Sequence, residues 1–228
     1  MKIRLLTLSM YAPLLFIILT TICMFLYTGG SKHEPILEGY TFYKNFFSDL
    51  GRTVAWSGEI NSYSCILFSF TAGILSIFVF IYFYTTLNVF KENINVKKLI
   101  KSGAIIGMIA AIHFFGIAFT PGDILHDIHL YFVRVAFGLI IISTSFYIPA
   151  ILKTKGYENF YAYILIVFTL GSAIYFYILL FGPSTSEPDG LIFQVVAQKI
   201  IVYIQIISLS IQAYGTKCYA KNQLCNKI

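Results

Sequence analysis

Six long apolar runs, separated by short polar segments, form the main pattern of the chain. A helix needs about 20 predominantly apolar residues to cross the hydrocarbon core of a bilayer, and each run is close to that length or longer. The pattern therefore predicts an all-α fold, a polytopic integral membrane bundle of six transmembrane helices forming a single domain over 1–228. The expected spans are 10–27, 62–87, 99–119, 128–152, 160–181 and 191–214.

The basic residues of the short connecting segments predict how this bundle is oriented. Cytoplasmic loops of membrane proteins carry an excess of lysine and arginine. Only Lys32, Lys44 and Arg52 lie in the segments on the opposite side from the termini. We therefore expect a multi-pass protein of the cell membrane with both its N- and C-termini in the cytoplasm. The basic residues on the terminal side are Lys2, Arg4, Lys91, Lys97, Lys98, Lys101, Lys153, Lys155, Lys217, Lys221 and Lys227.

Composition agrees with a membrane location and changes the meaning of the net charge. Hydrophobic residues make up 58% of the chain and charged residues 11%, with a mean hydropathy of +0.79. A soluble domain carries roughly a quarter charged residues, so that class is excluded. The formal net charge of +6 follows from the basic cytoplasmic side. The basic character therefore reports orientation and does not indicate a nucleic-acid partner.

The longest polar segment, 28–61, lies outside the predicted spans and is rich in aromatic residues. Rings interleaved with charges are typical of the membrane interface, where amphipathic side chains lie at the level of the head groups. The same mixture also suits a segment folded back over the helix bundle, and both interpretations stay open. The residues concerned are Tyr40, Phe42, Tyr43, Lys44, Phe46, Phe47, Asp49, Arg52 and Trp56.

Two cations lie inside apolar runs and are candidate site residues. Arg134 follows the start of the fourth span by about two turns, and Lys199 does so in the sixth span. An ionisable group in the bilayer is costly unless it is paired or wetted, so such a group marks a site. We expect both cations at similar depth in the outer half, where they would contact an anionic group.

Histidines and aspartates gather near the same outer end in the sequence. Asp123 is expected to be the N-cap of the fourth helix. One arc of that helix carries His126, Asp127 and Arg134, with His129 at its edge. His113 lies near the outer end of the third span, so three of the four histidines converge on one end of the membrane. A divalent metal such as zinc, held by these histidines with Asp49, Asp123 or Asp127, is one interpretation. A wet, ion-paired vestibule without chemistry is the other.

The last span carries a glutamine stripe. Gln194, Gln198, Gln205 and Gln212 fall within roughly 40° of one another on the helix. Amides in a membrane either hydrogen-bond between helices or line a wetted path. Both interpretations are retained.

The stretch Asn45 to Arg52, Asn-Phe-Phe-Ser-Asp-Leu-Gly-Arg, resembles the Ser-Asp-Leu-Gly signature of the bacterial and archaeal membrane family named domain of unknown function (DUF) 998. It is also similar to a segment of the DRAM and Frag-type membrane proteins. Two further features agree with the DUF 998 resemblance. One is the His-bearing turn before the fourth span, Asp123 to His129. The other is the loop Gly182 to Gly190, which is followed by Gln198-Lys199 where the family has Gln-Arg.

The resemblance implies six spans with a small group of residues gathered at the outer side. These are Ser48, Asp49, His126 or His129, and Lys199. It implies no settled activity. The eukaryotic relatives are linked to lipid remodelling and membrane trafficking, which favours a lipid ligand by analogy.

The leading hypothesis is an outward-facing polar pocket that binds, or also modifies, a lipid or other amphiphile with an anionic head group. The alternatives are a transporter or channel that uses the glutamine-lined last helix, and a non-catalytic membrane scaffold. Partners expected besides lipid are a second copy of the chain or another membrane protein. The acid, base or orienting residues would be Asp49, His126, Asp127 and His129. The ligand-binding residues would be Ser48, Arg52, His113, Arg134, Gln194, Gln198 and Lys199.

Overall fold

The computed structural model describes residues 1–90 and 94–225, without the side chain of Leu224. Two of the basic residues used to predict orientation, Lys91 and Lys227, lie outside the described residues. Within the described part, six helices are long and apolar enough to cross a membrane, which confirms the helical bundle. They are α1 Lys2–Leu26, α2 Ser62–Thr86, α3 Ile94–Ala118, α4 His126–Leu152, α5 Asn159–Phe181 and α6 Pro188–Cys225.

The helices form a ring in chain order. Each helix packs against the helix before it and the helix after it, and α6 returns to α1. Short connections favour antiparallel neighbours, which gives this up-and-down arrangement. Lys2 Nζ donates a hydrogen bond to the main-chain oxygen of Asn88 at 3.0 Å, so the start of α1 and the end of α2 lie at the same end of the bundle.

Glycines of α3 let its neighbours approach closely. A Cβ on Gly103 would lie 2.7 Å from the ring of Tyr147 on α4, and one on Gly107 would lie 2.6 Å from the ring of Phe83 on α2. Ser143 Oγ also donates to the main-chain oxygen of Gly103 at 2.7 Å. Small residues at such contacts are typical of membrane helices, because packing and interhelical hydrogen bonds hold them together.

The helices present apolar side chains on the outside of the bundle and carry hydroxyl groups on the inside. Large apolar side chains such as Phe25, Tyr63 and Phe181 are mostly exposed on the outside. Hydroxyl groups inside the bundle bond to carbonyls one turn earlier, as Thr20 does to Phe16 at 2.7 Å. Such local bonds satisfy polar groups that have no water available. The outer surface is therefore suited to lipid.

Residues 28–61, which we call the cap, fold over the end of the bundle where α1 ends and α2 begins. The cap contains an antiparallel hairpin, β1 Gly29–Ser31 and β2 Glu34–Glu38, and a 3-10 turn, Phe47–Gly51. Of the two interpretations of this segment, the structure has the one folded back over the bundle. The buried cluster joining the cap to α1 and α2 consists of Cys23, Tyr27, Phe47, Leu50, Ala55 and Phe68.

Candidate functional site

Lys199 of α6 is buried beneath the cap and is bound by it. Its side chain is 3% exposed. The ammonium group donates to the hydroxyl of Tyr40 and to the main-chain oxygen of Asn45, the latter at 2.8 Å. It also lies 4.0 Å from the centroid of the Phe47 ring, within cation–π distance. The cation therefore has its partners within the protein.

Asp49 lies in the 3-10 turn of the cap, 7% exposed. Its carboxylate accepts hydrogen bonds from the main-chain N–H of Phe46 at 2.8 Å, from Trp56 Nε1 at 3.1 Å and from Asn45 Nδ2 at 3.4 Å. Burial raises the pKa of Asp49, and the Trp56 hydrogen bond and the Arg52 charge offset part of that rise. The carboxylate therefore organises the turn from within.

Asn45 has a central role in the cap that the sequence analysis did not assign. It is fully buried, and its Nδ2 donates to the main-chain oxygen of Gly30 at 2.9 Å while its Oδ1 accepts from the N–H of Thr41 at 3.0 Å. Tyr40 Oη donates to the main-chain oxygen of Asn45 at 3.0 Å. The only sequence signal for this role is the position of Asn45 at the start of the Ser-Asp-Leu-Gly stretch.

Asp123 ties the cap to the start of α4, and its prediction as a helix N-cap is wrong. Helix α4 begins at His126 after Leu125, with no side-chain cap. Asp123 instead accepts from the N–H and Oγ1 of Thr53, at 3.0 and 2.6 Å, and from the N–H of Val54 at 2.9 Å. Burial alone would raise the pKa of Asp123, but these hydrogen bonds together lower it. Three donors of the cap therefore bind the Asp123 carboxylate and hold it in this position.

Arg52 makes two contacts within the cap. Its guanidinium group stacks over the Trp56 ring at 3.8 Å from the centroid, and its Nε donates to the main-chain oxygen of Val54 at 3.1 Å. Both contacts lie within the cap. Arg52 therefore acts on the cap's own conformation.

The structure places His129 and Arg134, which were expected to converge, on different faces of α4. His126, Asp127 and Arg134 are exposed on α4, whereas His129 of the same helix is 6% exposed and faces inward. Residue 134 follows residue 129 by five positions, which is about 140° around the helix. When His129 packs inside the bundle, Arg134 therefore lies on the outside. His113 contacts the ring of Phe132 on the α3–α4 surface.

The zinc interpretation gains no support from this arrangement. No three His, Cys, Asp or Glu side chains among residues 1–90 and 94–225 lie close enough together to hold a metal ion. Three protein ligands are the minimum for a catalytic zinc site. Asp49 and Asp123 are instead engaged with donors of the cap.

A cavity of about 190 Å³ occupies the centre of the ring. All six helices contribute to its wall, and Phe47 and Ser48 line the end beneath the cap, which we call the outer end because of the expected orientation. Most of the wall is apolar, with side chains such as Phe68, Phe137 and Leu165. The polar lining residues are Ser48, Ser76, Tyr82, His129, Thr144, Tyr147, Gln198, Gln205 and Gln212.

His129 lines the cavity, and a hydrogen bond to the main chain fixes the tautomer of its ring. Its Nδ1 lies 2.7 Å from the main-chain oxygen of Thr120, and a carbonyl accepts, so Nδ1 carries the proton. No side chain or main-chain group in the described part of the chain bonds to His129 Nε2. In the neutral ring this nitrogen is therefore a free acceptor.

Three of the four glutamines of the stripe line the cavity, and each also braces a neighbouring element. Gln198 Oε1 accepts from the N–H of Phe47 at 2.8 Å, and Gln205 Nε2 donates to Ser172 Oγ at 3.0 Å. Gln212 Nε2 donates to the main-chain oxygen of Tyr161 at 2.7 Å, which leaves its Oε1 without a partner among the described residues. Gln194 instead donates to the main-chain oxygen of Pro183.

Comparison with known proteins finds no matching family model, no matching curated protein and no matching solved structure. The resemblance to the DUF 998 family therefore stays a prediction carried by its short motifs. The cavity and the cap are the features from which function is inferred.

Proposed function

We propose that the chain is an integral membrane protein whose six helices cross the cell membrane, with both termini in the cytoplasm, and which binds a membrane amphiphile in its central cavity. The apolar body of the ligand would lie along the cavity wall, with its polar end under the cap near Ser48, His129 and Gln198. The observation that carries the proposal is the cavity itself, which is long, mainly apolar, and polar at its outer end.

The length of the cavity suits a single hydrocarbon chain. Its lining residues on α6 extend from Gln198 to Gln212, and 14 residues of helix rise about 21 Å. The hydrocarbon core of a bilayer is about 30 Å thick for two leaflets, so a cavity of this length accepts one lipid chain. Burial of each methylene would contribute about 0.8 kcal/mol to binding.

The charges of the site limit the head group. Lys199 is bound to the cap, and Arg134 is exposed on the outside of α4. No lysine or arginine is among the described residues that line the cavity. An anionic head group therefore has no counter-charge in the cavity.

Native mass spectrometry of the protein in mild detergent tests the proposal. We expect a bound adduct of lipid mass in the native protein. Val202→Trp places an indole in the cavity and should remove the adduct, because Val202 lines the wall. The matched control Val196→Trp lies on the exposed face of the same helix and should keep it. An adduct that survives Val202→Trp unchanged would contradict binding in the cavity.

Cysteine labelling tests the proposed orientation. In a background without Cys23, Cys65, Cys218 and Cys225, a single cysteine is placed at Lys32 in the cap or at Lys221 near the end of α6, both exposed. A membrane-impermeant maleimide should label Lys32→Cys in intact cells and Lys221→Cys only after permeabilisation. The reverse pattern would refute the orientation.

A transporter of a small solute is the second candidate, favoured by one observation. Gln198, Gln205 and Gln212 line the cavity from its outer to its inner part, as a polar path would require. Proteoliposomes that take up a solute under a pH gradient, with uptake abolished by Gln205→Leu, would support this candidate. The mainly apolar wall favours the amphiphile.

A further inference from the structure

We infer that the occupant of the cavity is a single-chain amphiphile with an uncharged, hydroxyl-bearing head group, held at the outer end between Ser48 and His129. This inference rests on the proposed function of the cavity and adds the chemical class of the ligand.

Two hydrogen-bonding groups beneath the cap, the His129 ring and the Ser48 hydroxyl, carry the assignment of that class. His129 Nδ1 is taken by the main-chain oxygen of Thr120, so the ring offers only an acceptor, Nε2. Ser48 lines the cavity, and its hydroxyl bonds to no group within residues 1–90 and 94–225, so the hydroxyl offers a donor and an acceptor. A ligand hydroxyl donates and accepts, so its chemistry matches both residues. A carboxylate or a phosphate monoester dianion only accepts and leaves Nε2 without a donor.

The surroundings also exclude a charged head. Phe47 of the cap and Phe137 of α4 are part of the lining, and none of the described lining residues is Lys, Arg, Asp or Glu. Transfer of an isolated ion from water into an apolar site is far more costly than transfer of a hydroxyl that keeps its hydrogen bonds. The nearby cation, Lys199, donates instead to Tyr40 and Asn45 of the cap.

The width of the cavity sets the number of chains. A volume of about 190 Å³ is distributed along a wall that covers about four turns of α6, from Gln198 to Gln212. Because the cavity is long and its volume is small, the cavity is narrow. Two parallel chains do not fit this shape.

A panel of probes with one chain and different heads tests the inference. Binding of hexadecane, hexadecanol, hexadecanoate and hexadecyl phosphate to the full chain in detergent is measured by competition against a fluorescent fatty alcohol. Hexadecanol should bind about tenfold more tightly than either anion, which corresponds to about 1.4 kcal/mol. Hexadecane should bind through the wall alone. Tighter binding of hexadecanoate or hexadecyl phosphate would overturn the head-group assignment and leave cavity binding intact.

Variants locate the head group and separate the two proposals. Ser48→Ala and His129→Phe should each weaken hexadecanol about fivefold, the loss of about one hydrogen bond, and leave hexadecane unchanged. The matched control Ser145→Ala lies on the exposed face of α4 and should change neither. Trp56 fluorescence checks that each variant keeps its cap. Equal hexadecanol affinity in Ser48→Ala and the native protein would refute the assignment, whereas no binding of any probe, hexadecane included, would refute the proposed function.

Discussion

The ammonium group of Lys199 donates to the main-chain oxygen of Asn45 at 2.8 Å, across 154 positions of the chain. This bond joins the last helix to the cap and lies directly above the cavity. Because the charge is enclosed by Tyr40 and Phe47, it serves to hold the cap in place. The cap in turn forms the outer end of the cavity through Phe47 and Ser48.

Removal of this cation should loosen the cap. Lys199→Met loses charge-assisted hydrogen bonds worth about 2 kcal/mol and keeps a similar side-chain volume. Cys23, fully buried against the cap, should then become reactive to a maleimide in a background without the other cysteines. The control Lys221→Met changes an exposed lysine and should leave Cys23 protected. Protection of Cys23 in Lys199→Met would show that the bond does not hold the cap.

The carboxylate of Asp49 should control the environment of the single tryptophan. Asp49→Ala leaves Trp56 Nε1 and the N–H of Phe46 without their acceptor, at a cost on the order of 1 kcal/mol for each partly buried donor. We expect a red-shifted emission from Trp56, which is the only tryptophan of the chain. Glu59→Ala alters an exposed carboxylate of the cap and should leave the emission as it is. An unshifted spectrum in Asp49→Ala would contradict this role.

Acid should weaken the tie between the cap and α4. The pKa of Asp123 is lower in the folded protein than its ordinary value of 3.8, so its contribution is complete above pH about 4. That contribution is lost as the pH falls through the lower folded value. The difference in thermal stability between the native protein and Asp123→Asn should therefore shrink from pH 5 towards about pH 2. Asp127→Asn, in the exposed first turn of α4, serves as the control. A difference that does not change with pH would exclude the carboxylate as the tie.

Two glycines of the cap hairpin should differ in their tolerance of alanine. Both have a positive φ, 81° at Gly30 and 62° at Gly39. A Cβ at Gly30 would lie 2.4 Å from the main-chain nitrogen of Ser57, whereas nothing lies within 4 Å of one at Gly39. Gly39→Ala should cost about 1 kcal/mol of backbone strain. Gly30→Ala should cost several times more and shift the emission of Trp56. Equal unfolding temperatures for the two variants would contradict this packing.

The helices could be predicted because their cause is local. A run of about 20 apolar residues forms a helix in a membrane wherever its neighbours lie, so the predicted spans 62–87 and 160–181 agree within a residue with Ser62–Thr86 and Asn159–Phe181. The α6 helix is longer than its predicted span, since polar residues after 214 continue the helix to Cys225. Hydropathy detects only the part that is apolar.

The candidate site could be predicted only in part. Ser48, His129 and Gln198 all line the cavity. Arg134 and His126 share an arc of α4 as the helical wheel predicts, but that arc faces outward. A wheel gives the angle between two residues of one helix and does not give the direction of the neighbouring helices. The inward side of α4 follows from its packing against α3 and α5.

Hydropathy and charge were sufficient for the number of helices, their approximate limits and the expected orientation, because each depends on residues close together in the chain. The cavity, the cap and the partners of Lys199 and Asp123 depended on tertiary structure. Each requires groups from distant segments, such as Asn45 with Lys199 and Thr53 with Asp123, to meet in one place. Hydrogen-bond donors and acceptors buried without water must find partners, and which partners they find is decided only when the ring of helices closes.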